Sequence, residues 1–488
     1  YYQNFPKDLQ RNSPLKSAYA VDLDFDGTLE VVTADSAGQI FAWRYNGDGF
    51  RFPNGAFVNT GSQIAADLAV GDVAPDSGLE IVAGCTDGKI RIYTMTGLLK
   101  TTLRTSDRII AAPVLADLNH DGYKDVIIGS TDGNMYAVTS DGEIIAGFPV
   151  RLGTEIRAPA AITDTTNPRI VVLTADHRVW LLNQDGTIVP GFPITLGYSP
   201  FYASAQPVVA DYNRDGENEI AVVAGGEHEY RLYLITQTGT IIYQSQELIE
   251  HPFTGTLAVA DMNTDGYLDI ICAARNKIFA FNYNATLVTN YPLRCESTFS
   301  VQELVGNWIV SYEKPFEFRS SPIIIGLNND NVPDIIIGSP AHGILGFNGK
   351  DGTLLDLFPL MTTASVSATP LYADINNDGN PEIAAGSDSG IFYIWSLPNS
   401  DFKEYWSCLY HDPCHTGLTY PPAYFPNADS GPLINQFYLY PNPANDAVCI
   451  RFRLNHNISP AHFTVLDMSG EPVINEIAAP TSPFVDNE

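Results

Sequence analysis

A nine-residue loop that occurs five times constrains the fold of this chain more than any other feature. The fullest copy is Asp117-Leu118-Asn119-His120-Asp121-Gly122-Tyr123-Lys124-Asp125. Side-chain oxygens stand at positions one, three, five and nine (Asp117, Asn119, Asp121, Asp125), with glycine at six to permit a sharp turn. Alternating carboxylates and amides on such a turn can supply the six to eight oxygens, at about 2.3–2.6 Å, that Ca²⁺ takes. The other full copies are Asp22, Asp24, Asp26 and Glu30 around Gly27; Asp211, Asn213, Asp215 and Glu219 around Gly216; Asp261, Asn263, Asp265 and Asp269 around Gly266; and Asp374, Asn376, Asp378 and Glu382 around Gly379. These twenty residues are the expected calcium ligands. An EF-hand is excluded, because it needs a Glu at position twelve, and the twelfth residue from Asp117 is Ile128. Mg²⁺ fits less well, since it keeps several waters and avoids all-protein cages.

Three weaker copies fill the gaps, and calcium there is expected to be weaker or absent. Residues 72–80 have Ala74 at position three, 164–172 run into Pro168, and 326–334 begin with Gly326. The eight starts at 22, 72, 117, 164, 211, 261, 326 and 374 recur with a period near 50, which marks repeated supersecondary units. Each unit reads as four short strands. In the third these are Ala112–Ala116, Val126–Gly129, Asn134–Val138 and a last strand after Asp141-Gly142, and Asp-Gly between apolar runs is a strong hairpin signal. No segment keeps a 3.6-residue apolar period. The expected fold is all-β: an eight-bladed β-propeller, or a seven-bladed one if a degenerate unit is an insertion.

Phe-Pro or Tyr-Pro recurs near the unit ends (5–6, 52–53, 148–149, 192–193, 291–292, 358–359), where proline suits an outer edge strand. The first pair precedes the first loop and the eighth unit lacks one, so residues Asn4–Leu9 are expected to complete the eighth blade and close the ring. The long interval before 326 holds an insertion, Cys295–Phe318, read as an elongated hairpin.

Composition narrows the partners. The formal charge of −30 disfavours nucleic acid and anionic membranes, and bound cations would offset part of it. No apolar run approaches the ~20 residues of a membrane span. Tyr1, with neither initiator Met nor apolar leader, reads as the start of a processed product or excised fragment, which leaves secretion open. Cys408, His411, Cys414 and His415 have types that bind zinc, but their spacing is crowded. A Cys408–Cys414 disulfide is favoured over zinc, with free buried thiols the remaining option. Residues 420–436, rich in Pro, Asn, Asp and Gly, read as a linker between the 1–419 propeller with its closing tail and a small β-sandwich-like segment at 437–488.

The repeated Asp-x-Asp-x-Asp-Gly-x-x-Asp/Glu loops, each between an apolar strand and an Ile/Val-Gly strand, resemble FG-GAP/VCBS repeats, the calcium-loop blades of integrin α-like propellers. The stretch Trp406-x4-His411-Asp412-x2-His415-Thr416-Gly417 is similar to the tail that often follows such propellers in secreted bacterial proteins. Leu439-Tyr440-Pro441-Asn442-Pro443-Ala444 resembles the start of a type IX secretion sorting domain, here cut short. These resemblances imply a secreted or outer-membrane-surface protein, routed by secretion machinery through its C-terminal segment. The expected role is a monomeric, non-catalytic binding or adhesion module for an extracellular glycan or protein. An extracellular carbohydrate-active enzyme, polysaccharide lyase-like, is the alternative, as is a spacer for a missing upstream catalytic domain. No nucleophile elbow, zincin, P-loop or dinucleotide motif supports an enzyme.

Overall fold

The structure, a computed structural model, describes residues 2–419 except 3, 198–204, 226–228, 251–254, 306–307, 329 and 398–402. Beyond 419 it describes five strand segments: Ile434–Tyr440, Cys449–Leu454, His462–Leu466, Pro472–Ile477 and Asp486–Asn487. The chain forms two compact units, Tyr1–Pro421 and Pro422–Glu488. In the second, Ile434–Tyr440, Cys449–Leu454 and Asp486–Asn487 make one antiparallel sheet, and His462–Leu466 pairs with Pro472–Ile477. Most of the expected linker and the Pro441–Ala444 part of the sorting motif lie outside the described residues.

The first unit is an eight-bladed propeller with no helix among the described residues. Its blades are antiparallel sheets at 19–59, 69–104, 114–151, 161–195, 208–250, 258–294, 323–361 and 371–396, numbered 1 to 8 below. The seven-bladed alternative falls, because all three degenerate units build full blades. Blade 8 takes its outer strand from the N-terminus: Lys7 pairs with Phe392 and Asp8 with Ile391. The expected closure by residues 4–9 is therefore present, and Phe5, Trp43 and Phe392 seal the seam. The rings of Trp43 and Phe392 stack at 5.3 Å, with Phe5 edge-on to both.

The second strand of each blade explains the apolar runs. Glu30–Ala34, Asp125–Gly129 and Asp269–Ala274 are buried along their whole length, because neighbouring blades cover both faces of the sheet. β-Branched residues fit that pleated, two-sided environment. Val171 and Leu181 of blade 4 pack with Ile220 and Val222 of blade 5, and Ile127 and Ala137 of blade 3 pack with Val172 and Trp180 of blade 4. Fully burying each such Val or Ile contributes about 1.5–3 kcal/mol. Glycine ends several of these strands for a steric reason. A Cβ on Gly129 would stand 2.2 Å from Ile156 Cγ2, and one on Gly386 2.4 Å from Leu15 Cβ, so Gly129→Ala would break the blade 3–4 contact.

The 298–315 insertion is an elongated hairpin, with Thr298 opposite Pro315 and Val305 opposite Trp308.

The tail after blade 8 occupies the middle of the ring. Lys403–Trp406 adds to the innermost strand of blade 7, with Trp406 opposite Ile324. The tail carbonyls then accept one N–H apiece from successive innermost strands: Tyr372 of blade 8 to Ser407, Val70 of blade 2 to Pro413, Leu115 of blade 3 to Cys414, Ile162 of blade 4 to Thr416 and Val209 of blade 5 to Gly417, at 2.8–2.9 Å. Blade 1 meets the tail through Tyr19, whose ring lies 5.1 Å from that of His415. Innermost strands are sheet edges with unpaired N–H groups, and the tail satisfies them. Trp406, Cys408, Leu409, Tyr410 and His415 are buried, so the central channel is filled by the chain itself.

Candidate functional site

The repeated loops share one face of the ring with the turns between third and fourth strands, since both connect the same ends of antiparallel strands. Within each loop the hydrogen bonds explain the residue types. The glycine N–H at position six donates to the position-one carboxylate in all five full copies (Gly27, Gly122, Gly216, Gly266, Gly379; 2.8–3.0 Å). The position-seven N–H donates to the position-five carboxylate in the same five. In blades 3, 5, 6 and 8 the position-three amide donates to the position-five carboxylate, as Asn263 does to Asp265 at 2.9 Å.

The ninth acid is the deepest. It accepts the position-two N–H in seven blades: Leu23 to Glu30, Val73 to Glu80, Leu118 to Asp125, Tyr212 to Glu219, Met262 to Asp269, Leu327 to Asp334 and Ile375 to Glu382, at 2.9–3.1 Å. Two of those seven lie in degenerate units, so the ninth acid outlasts the rest of the motif. Burial pushes these acids up, to about 6 for Asp334, to about 7 for Glu30, Asp125 and Glu219, and to about 8 for Glu80, Asp269 and Glu382. Some of their oxygens have no protein partner: Asp269 Oδ1 and Glu80 Oε1 are buried and orphaned, as is Asp117 Oδ1 at position one of blade 3. Asp24 Oδ1 in blade 1 and Asp72 Oδ1 in blade 2 are orphaned as well. Buried carboxylate oxygens are partnered or coordinate metals, so the donor sets of blades 3 and 6 fit a hard cation, and blades 5 and 8 repeat the same pattern of residue types. There Asp117, Asn119, Asp121 and Asp125, and their counterparts, would be the ligands.

The first loop differs. Arg44, from the third strand of blade 1, sets Nη2 3.0 Å from Asp24 and Nη1 3.1 Å from Asp26 and 3.3 Å from Glu30. The degenerate units differ in their own ways. In blade 2, Lys100 pairs with Asp76 at 2.9 Å. Blade 4 has a shorter loop: Ile162 pairs with Ile170, so Arg169 and not an acid stands where the other blades place the ninth residue. In blade 7, Asn331 takes the left-handed conformation of the absent glycine, with φ 63°.

Three features escaped the sequence reading. Arg44 and Lys100 lie well outside the nine-residue window, and only strand register brings them to it. Position four of every full loop is left-handed although none is glycine: Phe25, His120, Arg214, Thr264 and Asn377 have φ 56–59°. Such a conformation is a genuine outlier for β-branched Thr264. The third correction concerns the cysteines. Cys408 and Cys414 are free thiols, not a disulfide, with Sγ donating to the carbonyls of His411 and Val70. Nor do Cys408, His411, Cys414 and His415 converge as a zinc set: among the described residues, the group of His, Cys, Asp and Glu ligand atoms lying within 4.8 Å of one another is Asp22, Asp24 and Glu30.

The loop face also carries a tyrosine cluster at the blade 5–6 boundary. Tyr267, at position seven of the sixth loop, stacks on Tyr283 at 4.5 Å, and Tyr243 of blade 5 meets Tyr283 edge-on at 6.2 Å. Tyr243 is 37% exposed and the other two are half-buried. Asn263, one of the expected ligands, donates to Asn282 beside this cluster at 2.9 Å.

Residues 211–272, from the loop of blade 5 into the second strand of blade 6, match the FG-GAP-like repeat family. No curated protein matches the chain in sequence. Among solved structures, Sqt1 from Saccharomyces cerevisiae superposes with a TM-score of 0.54 at 13% identity, covering 81% of this chain and 98% of that one. BamB from Moraxella catarrhalis gives 0.50 at 15% identity, covering 80% and 100%. At these identities the likeness extends to the fold alone. Among the described residues no helix is long and apolar enough to cross a membrane.

Proposed function

We propose that this chain is an extracellular, calcium-stabilised binding module, non-catalytic, whose loop face takes a glycan. The observation that carries this reading is the cluster of Tyr243, Tyr267 and Tyr283 on that face. Tyrosine rings combine an apolar face with a polar tip, which suits the alternating C–H and O–H surface of a sugar ring. The rings pack against one another, so little side-chain freedom is lost on binding. The filled channel supports the same choice, because it removes the usual concave site of a ring and leaves the faces. Calcium in the sixth loop would brace the turn that bears Tyr267, coupling metal to ligand binding. Cell-surface display or release through the C-terminal segment completes the reading, with the propeller as the part that contacts other molecules.

The test is binding to a panel of soluble polysaccharides by calorimetry, with the wild-type chain and with Tyr243→Ala and Tyr283→Ala. Loss of a glycan signal by about tenfold or more in either variant is expected. Unchanged glycan binding in both, or binding of a protein partner alone, would overturn the assignment.

A further inference from the structure

Blade 1 differs from blades 3, 5, 6 and 8 at two positions that face each other. At loop position three it has Asp24, where the others have Asn119, Asn213, Asn263 and Asn376. Across the ladder from the ninth acid it has Arg44, opposite Glu30. Glu219 faces Thr236 and Glu382 faces Ser396, and the same register carries Asp125 to Thr139 and Asp269 to Asn282. One extra negative charge and one extra positive charge therefore occur together, in the same blade, and in contact.

The contact is extensive. The guanidinium reaches Asp24, Asp26 and Glu30 at 3.0–3.3 Å, and its other side lies over the Phe50 ring at 4.8 Å. The Asp22, Asp24 and Glu30 oxygens converge to within 4.8 Å, the one such carboxylate group among the described residues. In the four neutral-faced loops the position-five carboxylate is instead held by the position-three amide. A planar guanidinium with five fixed donors suits several carboxylates at once, and it cannot be deprotonated or removed by a chelator.

We propose that Arg44 is the resident cation of blade 1, a tethered charge standing where the loops of blades 3, 5, 6 and 8 take calcium. The inference rests on the calcium reading for those four blades. For blade 1 it rests on the Arg44 geometry. In blade 1 the buried Glu30 is thus balanced from within the chain, independently of the medium. Blade 1 packs against blade 8 at the seam where the chain's two ends of the propeller meet, so a permanent cation there keeps the closure intact when calcium is scarce.

The experiment uses the full chain, melted in EDTA and in calcium, with calcium stoichiometry measured by calorimetry. Arg44→Thr should lower Tm in EDTA, recover in calcium, and bind one more calcium per chain than wild type. Asp24→Asn with Arg44→Thr, which gives blade 1 the residue set of blade 5, should also gain one calcium. A variant that melts like wild type in EDTA, or that gains no calcium while wild type binds it, overturns the proposal. If neither protein binds calcium, the calcium reading of the other blades falls, and the EDTA melt alone decides the role of Arg44. Should Arg44→Thr fail to fold, the reverse exchange in blade 3 is decisive: Asn119→Asp with Thr139→Arg should bind one calcium fewer than wild type, and an unchanged count overturns the inference.

Discussion

Asp269 in blade 6 is fully buried, accepts the Met262 N–H with one oxygen and leaves Oδ1 without a protein partner. Glu30 in blade 1 is buried as deeply and accepts the Leu23 N–H in the same way, but its second oxygen meets Arg44. The two loops share backbone geometry down to the left-handed fourth residue, Thr264 in one and Phe25 in the other. What differs is where the compensating charge comes from. The backbone of this loop is thus set by its glycine, its first acid and its ninth acid, and the cation is a separate variable that each blade supplies from the chain or from solution.

The largest expected effect is that of removing calcium. A site filled at a hundredfold excess over its Kd contributes about 2.7 kcal/mol. With blades 3, 5, 6 and 8 emptied by EDTA, Tm should fall by on the order of 10 °C and return when calcium is restored. A melt unchanged by millimolar EDTA would remove calcium from the account of this fold.

Next in size is a paired substitution that sets the two blades against each other. Asp269→Asn should cost roughly 2–3 kcal/mol in calcium, where it destroys a site. In EDTA it should cost close to nothing, because near neutral pH the buried carboxyl is already mainly protonated and the amide is its near-isostere. Glu30→Gln should cost about 1–3 kcal/mol in both media, since its partner is Arg44 and stays in place. Four melts check this, and equal calcium sensitivity of the two substitutions would erase the distinction between the blades.

The pH dependence without metal is smaller. Burial raises the ninth acids to about 6–8 in the folded chain, above the ordinary carboxylate values. A raised acid binds more protons folded than unfolded, so its contribution is complete at low pH and is lost as pH rises through the folded value. His415 acts in the opposite sense. Burial lowers it to about 4, so its contribution is present above about 6.5 and lost as pH falls toward 4. Between pH 6.5 and 8 only the acids change. In EDTA, Tm should therefore drop across that window, and calcium should flatten the slope by holding the acids ionised. A flat profile in EDTA would mean the ninth acids are already compensated.

These contrasts show what could be read before the fold was known. The repeat spacing and the Asp-Gly turns are local, and they specify blades. The Phe5-Pro6 pair lying ahead of the first loop was enough to place Lys7 and Asp8 on blade 8. The ninth acid was legible because it sits inside the motif. Arg44 was not, because its meaning depends on the register between the second and third strands. The tail was recognisable from its Trp406 to Gly417 motif, but its path through the ring was not: Trp406 meets Ile324 and Gly417 meets Val209 through backbone groups, whose pairing no side-chain pattern records. The thiols of Cys408 and Cys414 were misread for the same reason, since each meets a backbone carbonyl, Cys408 that of His411 within the tail and Cys414 that of Val70 on blade 2.

Blade 2 gives the finest division of the comparison. It has a tethered cation, Lys100, on Asp76, but it lacks an oxygen donor at position three, where Ala74 stands. If an internal cation alone keeps calcium out, Lys100→Ala should open a site there. If the donor set decides, it should not, because the loop would offer only Asp72, Asp76 and Glu80 side chains. The second outcome is expected, since a calcium cage needs six or more oxygens and this loop has lost one of its alternating ligands. The Lys100–Asp76 pair is partly exposed, so its loss should cost at most about 1 kcal/mol, a Tm change of a few degrees, with calcium stoichiometry unchanged. A gained calcium would show that Ala74 is no obstacle, and that the tethered ammonium in blade 2 does the same work as the guanidinium in blade 1.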